Sequence, residues 1–345
     1  MTHNAKFELA EKVEVLSCAK FYGLETGLIE RIETHMSWVF LTPQFAYKLK
    51  KPVHRPYLDF STLTAREYYC REELKLNRRL AASVYLDVVP IRRGLDGQLR
   101  MNDPLRMKSS AGDIVDYLVK MVRLPAEKML DHKLRTRTLA PRDIRSLLLK
   151  MTDFYRSAYK VELLADHYLD RLADAINSHH KQLAVLRYNL PVGRVGAISN
   201  VLLDYVNNST ELSERANHVV DAHGDLRPEH IYLGKSIQII DCLEFEAKLR
   251  ELDPVDELAF LALECTRLGA SHVGRAVLRL YRSITGDRAS SALIAFYQAH
   301  RALTRAVLAI WHLDDPSVPD RQHWYERALI YIGMAEHASK SLHAK

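Results

Sequence analysis

From Leu24 to Lys50 apolar and polar residues alternate with the period of two that a strand demands, further strands are expected as far as Val122, and after Pro125 the spacing becomes that of helices. The expected fold class is therefore α+β, with a small strand-rich part followed by a helix-rich part. Strands are expected at Leu24 to Glu33, Ser37 to Leu41, Gln44 to Lys50, Val84 to Ile91 and Ile114 to Val122, with a hairpin from Leu95 to Asn102 around Asp96-Gly97. In the third strand Phe45, Tyr47 and Leu49 share one side, and Ala46, Lys48 and Lys50 share the other. One face is apolar and one carries amines.

A single helix interrupts the strands. Thr64-Ala-Arg-Glu67 reads as a capping box, and the helix it opens should end near Leu80. Tyr69, Glu73, Leu76 and Leu80 follow at steps of four, three and four, which puts Glu73 on the buried stripe. A carboxylate there needs a partner. Beyond Pro125, helices are expected at Pro141 to Lys160, Leu163 to Ala184, Ala197 to Tyr205 and from Asp256 to the end, with breaks near residues 286–288 and 314–319. Short strands are expected at Val219 to Ala222 and Ile237 to Asp241. This places a lobe of five strands and one helix at residues 1–122, a helix-rich lobe at 123–345 and a hinge at 119–126.

The 345 residues, 48% of them hydrophobic, suffice for a buried core. No apolar run approaches the ~20 residues of a membrane span, and the N-terminus lacks the apolar segment of a signal peptide, so a cytoplasmic protein is expected. Cys18, Cys70, Cys242 and Cys265 are dispersed, against both a zinc site and a disulfide framework. The net charge of +6 is spread among interleaved acids, which does not favour nucleic acid as a partner. There is no internal repeat and no Walker A motif.

The chemistry concentrates in Val219-Val-Asp-Ala-His223-Gly-Asp225-Leu-Arg-Pro-Glu-His230 followed by Ile239-Ile-Asp241, with a strand before each acidic cluster. Two carboxylates on rigid supports, with a lysine for the nucleotide, meet the main demands of phosphoryl transfer on a protein. An isolated aspartate in either place would read as a turn or cap residue. The joint pattern points elsewhere.

These residues resemble the aminoglycoside and choline kinase-like phosphotransferases, relatives of the protein kinases, whose catalytic loop reads H-G-D-x-x-x-x-N before a strand ending in Asp. His223-Gly224-Asp225 and Asp241 match that pattern, and Asp253-Pro-Val-Asp256-Glu-Leu-Ala is similar to the family's D-P-x-x-D-L-A. Phe45-Ala-Tyr-Lys48 stands where the kinases carry V-A-I-K, and Glu73 where their helix glutamate pairs with that lysine. Phe45 to Lys51, Tyr57-Leu-Asp-Phe-Ser61, Met121 to Pro125 and Asp241-Cys-Leu-Glu-Phe245 resemble a bacterial subgroup described as the phosphotransferase half of a two-part protein whose other half is a P-loop ATPase. The absence of a P-loop motif here makes a separate ATPase a possible partner.

The resemblance implies a bilobal, protein kinase-like fold and a kinase that uses ATP and Mg²⁺ to phosphorylate a hydroxyl of a small molecule. Lys48 would contact nucleotide phosphates, Glu73 would hold Lys48, and Met121 would lie against the nucleotide. Asp225 would orient the acceptor hydroxyl, His223 would position the loop, Asp241 would bind Mg²⁺, and Asp256 would support the loop without touching substrate. The Thr34 to Ser37 turn replaces a glycine-rich loop, so Ser37 or Thr34 would approach the phosphates through its side chain.

One position departs from the pattern. Where the family has a metal-binding Asn, this chain has His230, and Mg²⁺ prefers oxygen ligands. Either one ion suffices, or Glu244 supplies an oxygen, or His230 contacts a phosphate, or His230 only packs. The substitution also permits a nucleotide-binding regulator that has lost catalysis. A protein kinase is a further alternative, although no activation-loop punctuation separates Asp241 from Asp256. Aminoglycosides are polycations and suit this basic chain poorly as acceptors.

Overall fold

The alternation around Tyr47 produces the inner strand of an antiparallel sheet. In the computed structural model, which describes residues 3–55, 58–101, 112–314, 318 and 320–342, six strands form it: β1 (Glu30–Glu33), β2 (Ser37–Leu41), β3 (Phe45–Lys50), β4 (Tyr85–Arg93), β5 (Leu99–Met101) and β6 (Asp113–Val122). Their order is β1-β2-β3-β6-β4-β5. Six strands stand where five were expected, because Leu99–Met101 turns back at Gly97 and pairs with Ile91–Arg93. The first strand starts at Glu30 and not at Leu24, since Gly27, at φ +135°, breaks the extended run. Tyr57 and Asn102 lie outside the described residues.

Both faces of β3 are covered. Tyr47 and Leu49 pack with Val13, Leu16, Phe40, Ile91 and Leu118, while Ala46 packs with Cys70, Tyr85, Val119 and Met121 on the other side. Val13 and Leu16 belong to α1 (His3–Leu16), a helix additional to the elements expected from the sequence. Lys12 anchors it by donating to Asp116 Oδ2 at 2.8 Å, while Arg66 takes the other oxygen of Asp116, also at 2.8 Å. The amine face of β3 looks toward α2 (Leu63–Ala81). That helix is capped one residue before its start, by Thr62, whose hydroxyl accepts from Ala65 N at 3.1 Å. The expected box on Thr64 and Glu67 does not form; Glu67 pairs with Arg71 one turn later, at 2.7 Å.

The contacts divide the chain into two units, Met1–Met129 with His230–Lys248, and Leu130–Glu229 with Leu249–Lys345. The first unit thus takes in a short hairpin, Ile231–Leu233 against Ile237–Ile239, that follows the H-G-D loop in sequence. Of the segment expected as a hinge, residues 119–122 belong to β6.

The second unit is helical: α3 (Pro141–Ser157), α4 (Ala165–Leu183), α5 (Val192–Asn208), α6 (Pro254–Arg267), α7 (Ser271–Thr285), α8 (Ser291–Trp311) and α9 (Arg321–Lys340). The break between α6 and α7, at Gly269 with φ +77°, was not foreseen; most of the break expected at 314–319 lies outside the described residues. From Pro254 to Cys265 every residue of α6 is buried. Gly274 of α7 makes this possible, because a Cβ there would meet the backbone of Ala262 at 2.8 Å. Three acids on so buried a helix need partners, and each has one. Asp256 binds Arg301, Glu264 accepts from the Tyr331 hydroxyl and from Arg267, and Glu257 faces the H-G-D loop. Among the described residues no helix is long and apolar enough to cross a membrane.

Candidate active site

Lys48 and Lys50 lie two residues apart on one side of β3, so both ammonium groups reach the carboxylate that α2 presents at Glu73. Lys48 Nζ stands 2.9 Å from Glu73 Oε1 and donates to Asp241 Oδ1 at 2.7 Å. Lys50 Nζ donates to Glu73 Oε2 at 2.6 Å and to Glu244 Oε1. Together they form one ladder, Asp241, Lys48, Glu73, Lys50 and Glu244. The expected pairing of Lys48 with Glu73 is present. Lys50 is 1% exposed in its side chain and Lys48 is 15% exposed, which leaves Lys48 as the amine able to meet a ligand.

The electrostatics follow from the neighbours. Burial opposes the charge on Lys48, but Asp241, Glu73 and Glu244 outweigh it and hold its pKa well above the usual lysine value. Glu73 is pushed up by burial and down more strongly by Lys48 and Lys50, and ends below the usual range. At Glu244 burial prevails over Lys50, and the pKa is raised.

Asp241 leaves the strand in the left-handed region, at φ +63°. A non-glycine residue there costs of order 1–3 kcal/mol unless its surroundings hold it, and such residues cluster at functional sites. Here the surroundings do hold it. Asp241 N donates to the Tyr85 hydroxyl at 3.1 Å, and Cys242 N donates to Asn77 Oδ1 at 2.9 Å. Burial raises the Tyr85 pKa well above the ordinary phenol value, so the hydroxyl stays neutral and accepts. The Asp241 side chain is 43% exposed, and its second oxygen lies 3.4 Å from His230 Nε2.

The other expected residues of this unit lie in different settings. Ser37 is buried, and its hydroxyl is 3.0 Å from that of Thr34. Met121 packs in the cluster of Ala46 and Tyr85. Glu244 is 8% exposed and is engaged by Lys50. Among the described residues no three His, Cys, Asp or Glu side chains converge as an all-protein metal site. An exposed single carboxylate such as Asp241 suits Mg²⁺ in its usual mode, in which one or two carboxylates are joined by phosphate oxygens and water.

His223, Asp225 and Asp256 belong to the second unit. Val220–Asp221 pairs with Glu251–Leu252, and the loop after it is held through its backbone. His223 N donates to Glu257 Oε1 at 3.1 Å, Gly224 N donates to the same oxygen at 2.6 Å, and the Tyr155 hydroxyl donates to Oε2 at 2.8 Å. Gly224 adopts φ +92°, which the turn requires of it. Burial raises the Glu257 pKa even against these donors. His223 is fully buried, and its Nδ1 accepts from Asp225 N at 3.3 Å, a positioning contact. The Asp225 carboxylate accepts from Arg227 Nε at 3.0 Å.

Asp256, expected to support this loop, makes a two-pronged ion pair with Arg301, both contacts at 2.7 Å. Its neighbour Glu257 holds the loop. The sequence contained the signal: in Asp253-Pro-Val-Asp-Glu-Leu-Ala two adjacent acids open a helix that is then apolar as far as Leu263, and each needs a separate partner. Lys50 was equally readable, since a second lysine on the amine face of a buried strand requires an acid. Asp253 caps α6 by accepting from Val255 N at 2.9 Å and is gripped by Arg215 through two contacts at 2.6 Å.

No protein-family model matches the sequence. Among curated proteins, the uncharacterized proteins Rv2004c of Mycobacterium tuberculosis and Mb2027c of Mycobacterium bovis are each 29% identical over 282 residues, covering 79% of this chain and 53% of theirs. The chain spans about half the length of the curated relatives it matches. Among solved structures, a thermostable mutant of aminoglycoside phosphotransferase APH(4)-Ia aligns in its apo form with a TM-score of 0.55 at 11% identity, over 96% of this chain and 99% of its own. Its ternary complex with AMP-PNP and hygromycin B gives 0.54 at 11%, over 94% and 98%. Choline kinase of Cryptosporidium parvum Iowa II gives 0.53 at 10% identity, over 96% of each chain. The chain's α+β fold is thus similar to that of these aminoglycoside phosphotransferase and choline kinase structures.

Proposed function

We propose that the protein is an ATP-dependent phosphotransferase that moves the γ-phosphoryl group to a hydroxyl of a small molecule. The observation that carries this reading is the Lys48 ammonium shared between Glu73 and Asp241, with Asp241 on a left-handed residue and its carboxylate partly exposed. A half-buried lysine held by a helix glutamate and placed beside a second carboxylate suits a nucleotide phosphate and the cation that accompanies it. An aminoglycoside phosphotransferase of the same fold, in complex with AMP-PNP and hygromycin B, supports a nucleotide and a small acceptor as the ligand classes.

In this reading Lys48 turns from Asp241 to the phosphates while Glu73 keeps its ammonium in place. Asp241 and the phosphates would hold Mg²⁺, which when bound neutralises charge on the transferring group. Asp225 orients the acceptor hydroxyl and takes its proton, and His223 and Glu257 fix the loop that carries it. The resemblance to the two-part subgroup keeps a separate P-loop ATPase as a possible partner.

The test is ATP binding by calorimetry, with and without Mg²⁺, alongside ATP turnover. The parent should bind and turn over the nucleotide, and Lys48→Met should lose both. A parent protein that binds no nucleotide overturns the reading. The placement of His230 Nε2 3.4 Å from Asp241 Oδ2 favours one second reading, a nucleotide-binding regulator. That reading requires ATP binding without turnover in the parent and gain of hydrolysis in His230→Asn.

A further inference from the structure

Lys48 has two tasks that conflict. It holds Glu73, and under the proposed function it must also release Asp241 and meet phosphate. Glu73 keeps the ammonium in place, but Asp241 loses its tie to Lys48 when the ligand arrives, and its segment then needs another hold. The structure contains a second cation that does not face this conflict. Lys50 Nζ takes the other oxygen of Glu73 at 2.6 Å, its side chain is 1% exposed, and the Phe60 ring covers it at 4.8 Å from the ring centroid. Its second carboxylate, Glu244, stands three residues after Asp241 on the same segment.

The geometry points to Lys50 and Glu244 as a positioning pair that fixes the Asp241 segment in its metal-ready conformation independently of Lys48. Asp241 is left-handed, and the segment is tied on one side by Tyr85 and Asn77 through the amides of Asp241 and Cys242. The Lys50–Glu244 contact ties it on the other side, through a side chain beyond the turn. With both ties the carboxylate of Asp241 keeps its direction after Lys48 has turned away. Lys50 and Glu244 therefore act through Glu73 and Asp241 and need not touch the nucleotide.

This inference rests on the proposed function, and its test separates the two. Lys50→Met alone takes the paired cation from Glu244 and leaves Glu73 with Lys48 only, which endangers the fold, so the informative variant is Lys50→Met with Glu244→Gln, which removes one charge of each sign. Hydrogen exchange in the ligand-free protein reads the segment directly. The amides of Asp241 and Cys242 should exchange about 10-fold faster or more in the double variant, while amides inside α2 stay within about twofold. Calorimetry reads the consequence: ATP affinity without Mg²⁺ should stay within about twofold of the parent, and the gain in affinity that Mg²⁺ gives should fall by about 10-fold.

Lys50→Arg, which keeps a cation beside both acids, should restore most of that gain in the Glu244 background. Unchanged exchange at Asp241 and Cys242 overturns the pair's role. So does an equal loss of affinity with and without Mg²⁺, which marks general loosening of the unit. If the parent binds no ATP under either condition, the proposed function fails and this inference falls with it.

Discussion

Two buried glutamates organise the two candidate sites, and they are stabilised by opposite means. Glu73 lies between the ammonium groups of Lys48 and Lys50, which depress its pKa despite complete burial. Glu257 receives two backbone N–H groups and a phenol, and with these partners burial still raises its pKa. Dipoles fix a loop without being displaceable, since a backbone amide cannot swing away. Ammonium groups on long side chains can exchange partners. The first arrangement suits a site that must receive a charged ligand, and the second suits a loop that must present one carboxylate in one direction.

The largest effect is expected from removing the charge that the ladder leaves partly exposed. Asp241→Asn should abolish Mg²⁺-dependent ATP turnover, a loss on the order of 10³-fold or more, with the fold retained because the side chain is partly exposed. Circular dichroism and a turnover assay check both halves. Full activity in this variant would end the metal role.

The next effect concerns stability. Lys50→Met leaves Glu73 and Glu244 to share a single remaining cation, and removing one partner from a buried ionic cluster costs about 3–5 kcal/mol. Lys48→Met should cost less, because Glu73 keeps Lys50 and Asp241 can turn to solvent. Urea unfolding of the two variants ranks them. If Lys48→Met is the more damaging, the ladder is not supported from its buried end.

A smaller effect distinguishes the two glutamates by pH. Glu257 has a folded pKa above its ordinary 4.5, so the folded state binds the extra proton, and stability falls as pH rises from 4.5 through the raised value. Glu73 has a folded pKa below 4.5, so its contribution is complete above that value and is lost as pH falls below it. Glu257→Gln should therefore flatten the fall in stability above pH 4.5 and leave the acid-side loss in place, as measured by unfolding midpoints across pH. The reverse pattern would mean that the assignments are exchanged.

The smallest effect is expected at His230. Since Nε2 lies beside Asp241 Oδ2, His230→Asn puts an amide oxygen near the carboxylate and should raise Mg²⁺ affinity by a few-fold, up to ~10-fold. A fall in turnover of ~10²-fold would instead show that the imidazole donates to a phosphate.

These residues also show what was legible in the sequence. The alternation around Tyr47 and the helical step through Glu73 reported the two elements that bring Lys48 and Glu73 together, because periodicity records which face is buried. Helix α1 was missed, since its anchor is the tertiary pair Lys12 and Asp116, residues far apart in sequence. The capping box failed because Thr62 and Thr64 both offer a hydroxyl at the helix start, and Thr62 proved to be the one placed to cap it. Local rules do not choose between such neighbours. Glu257 and Asp256 pose the same problem in the second unit: adjacency in sequence sends them to opposite partners, the loop and Arg301. The attachment of His230–Lys248 to the first unit is a matter of long-range packing, which no local pattern records.

The proposed function requires transfer of phosphate to a small hydroxyl compound. A screen with γ-labelled ATP against hydroxyl-bearing metabolites, with peptides as a parallel arm, measures it most directly. Label is expected on a small molecule, and is expected to be absent in Asp225→Asn and in Asp241→Asn. Nucleotide binding with no label transferred to any acceptor, or label found only on peptides, would contradict it.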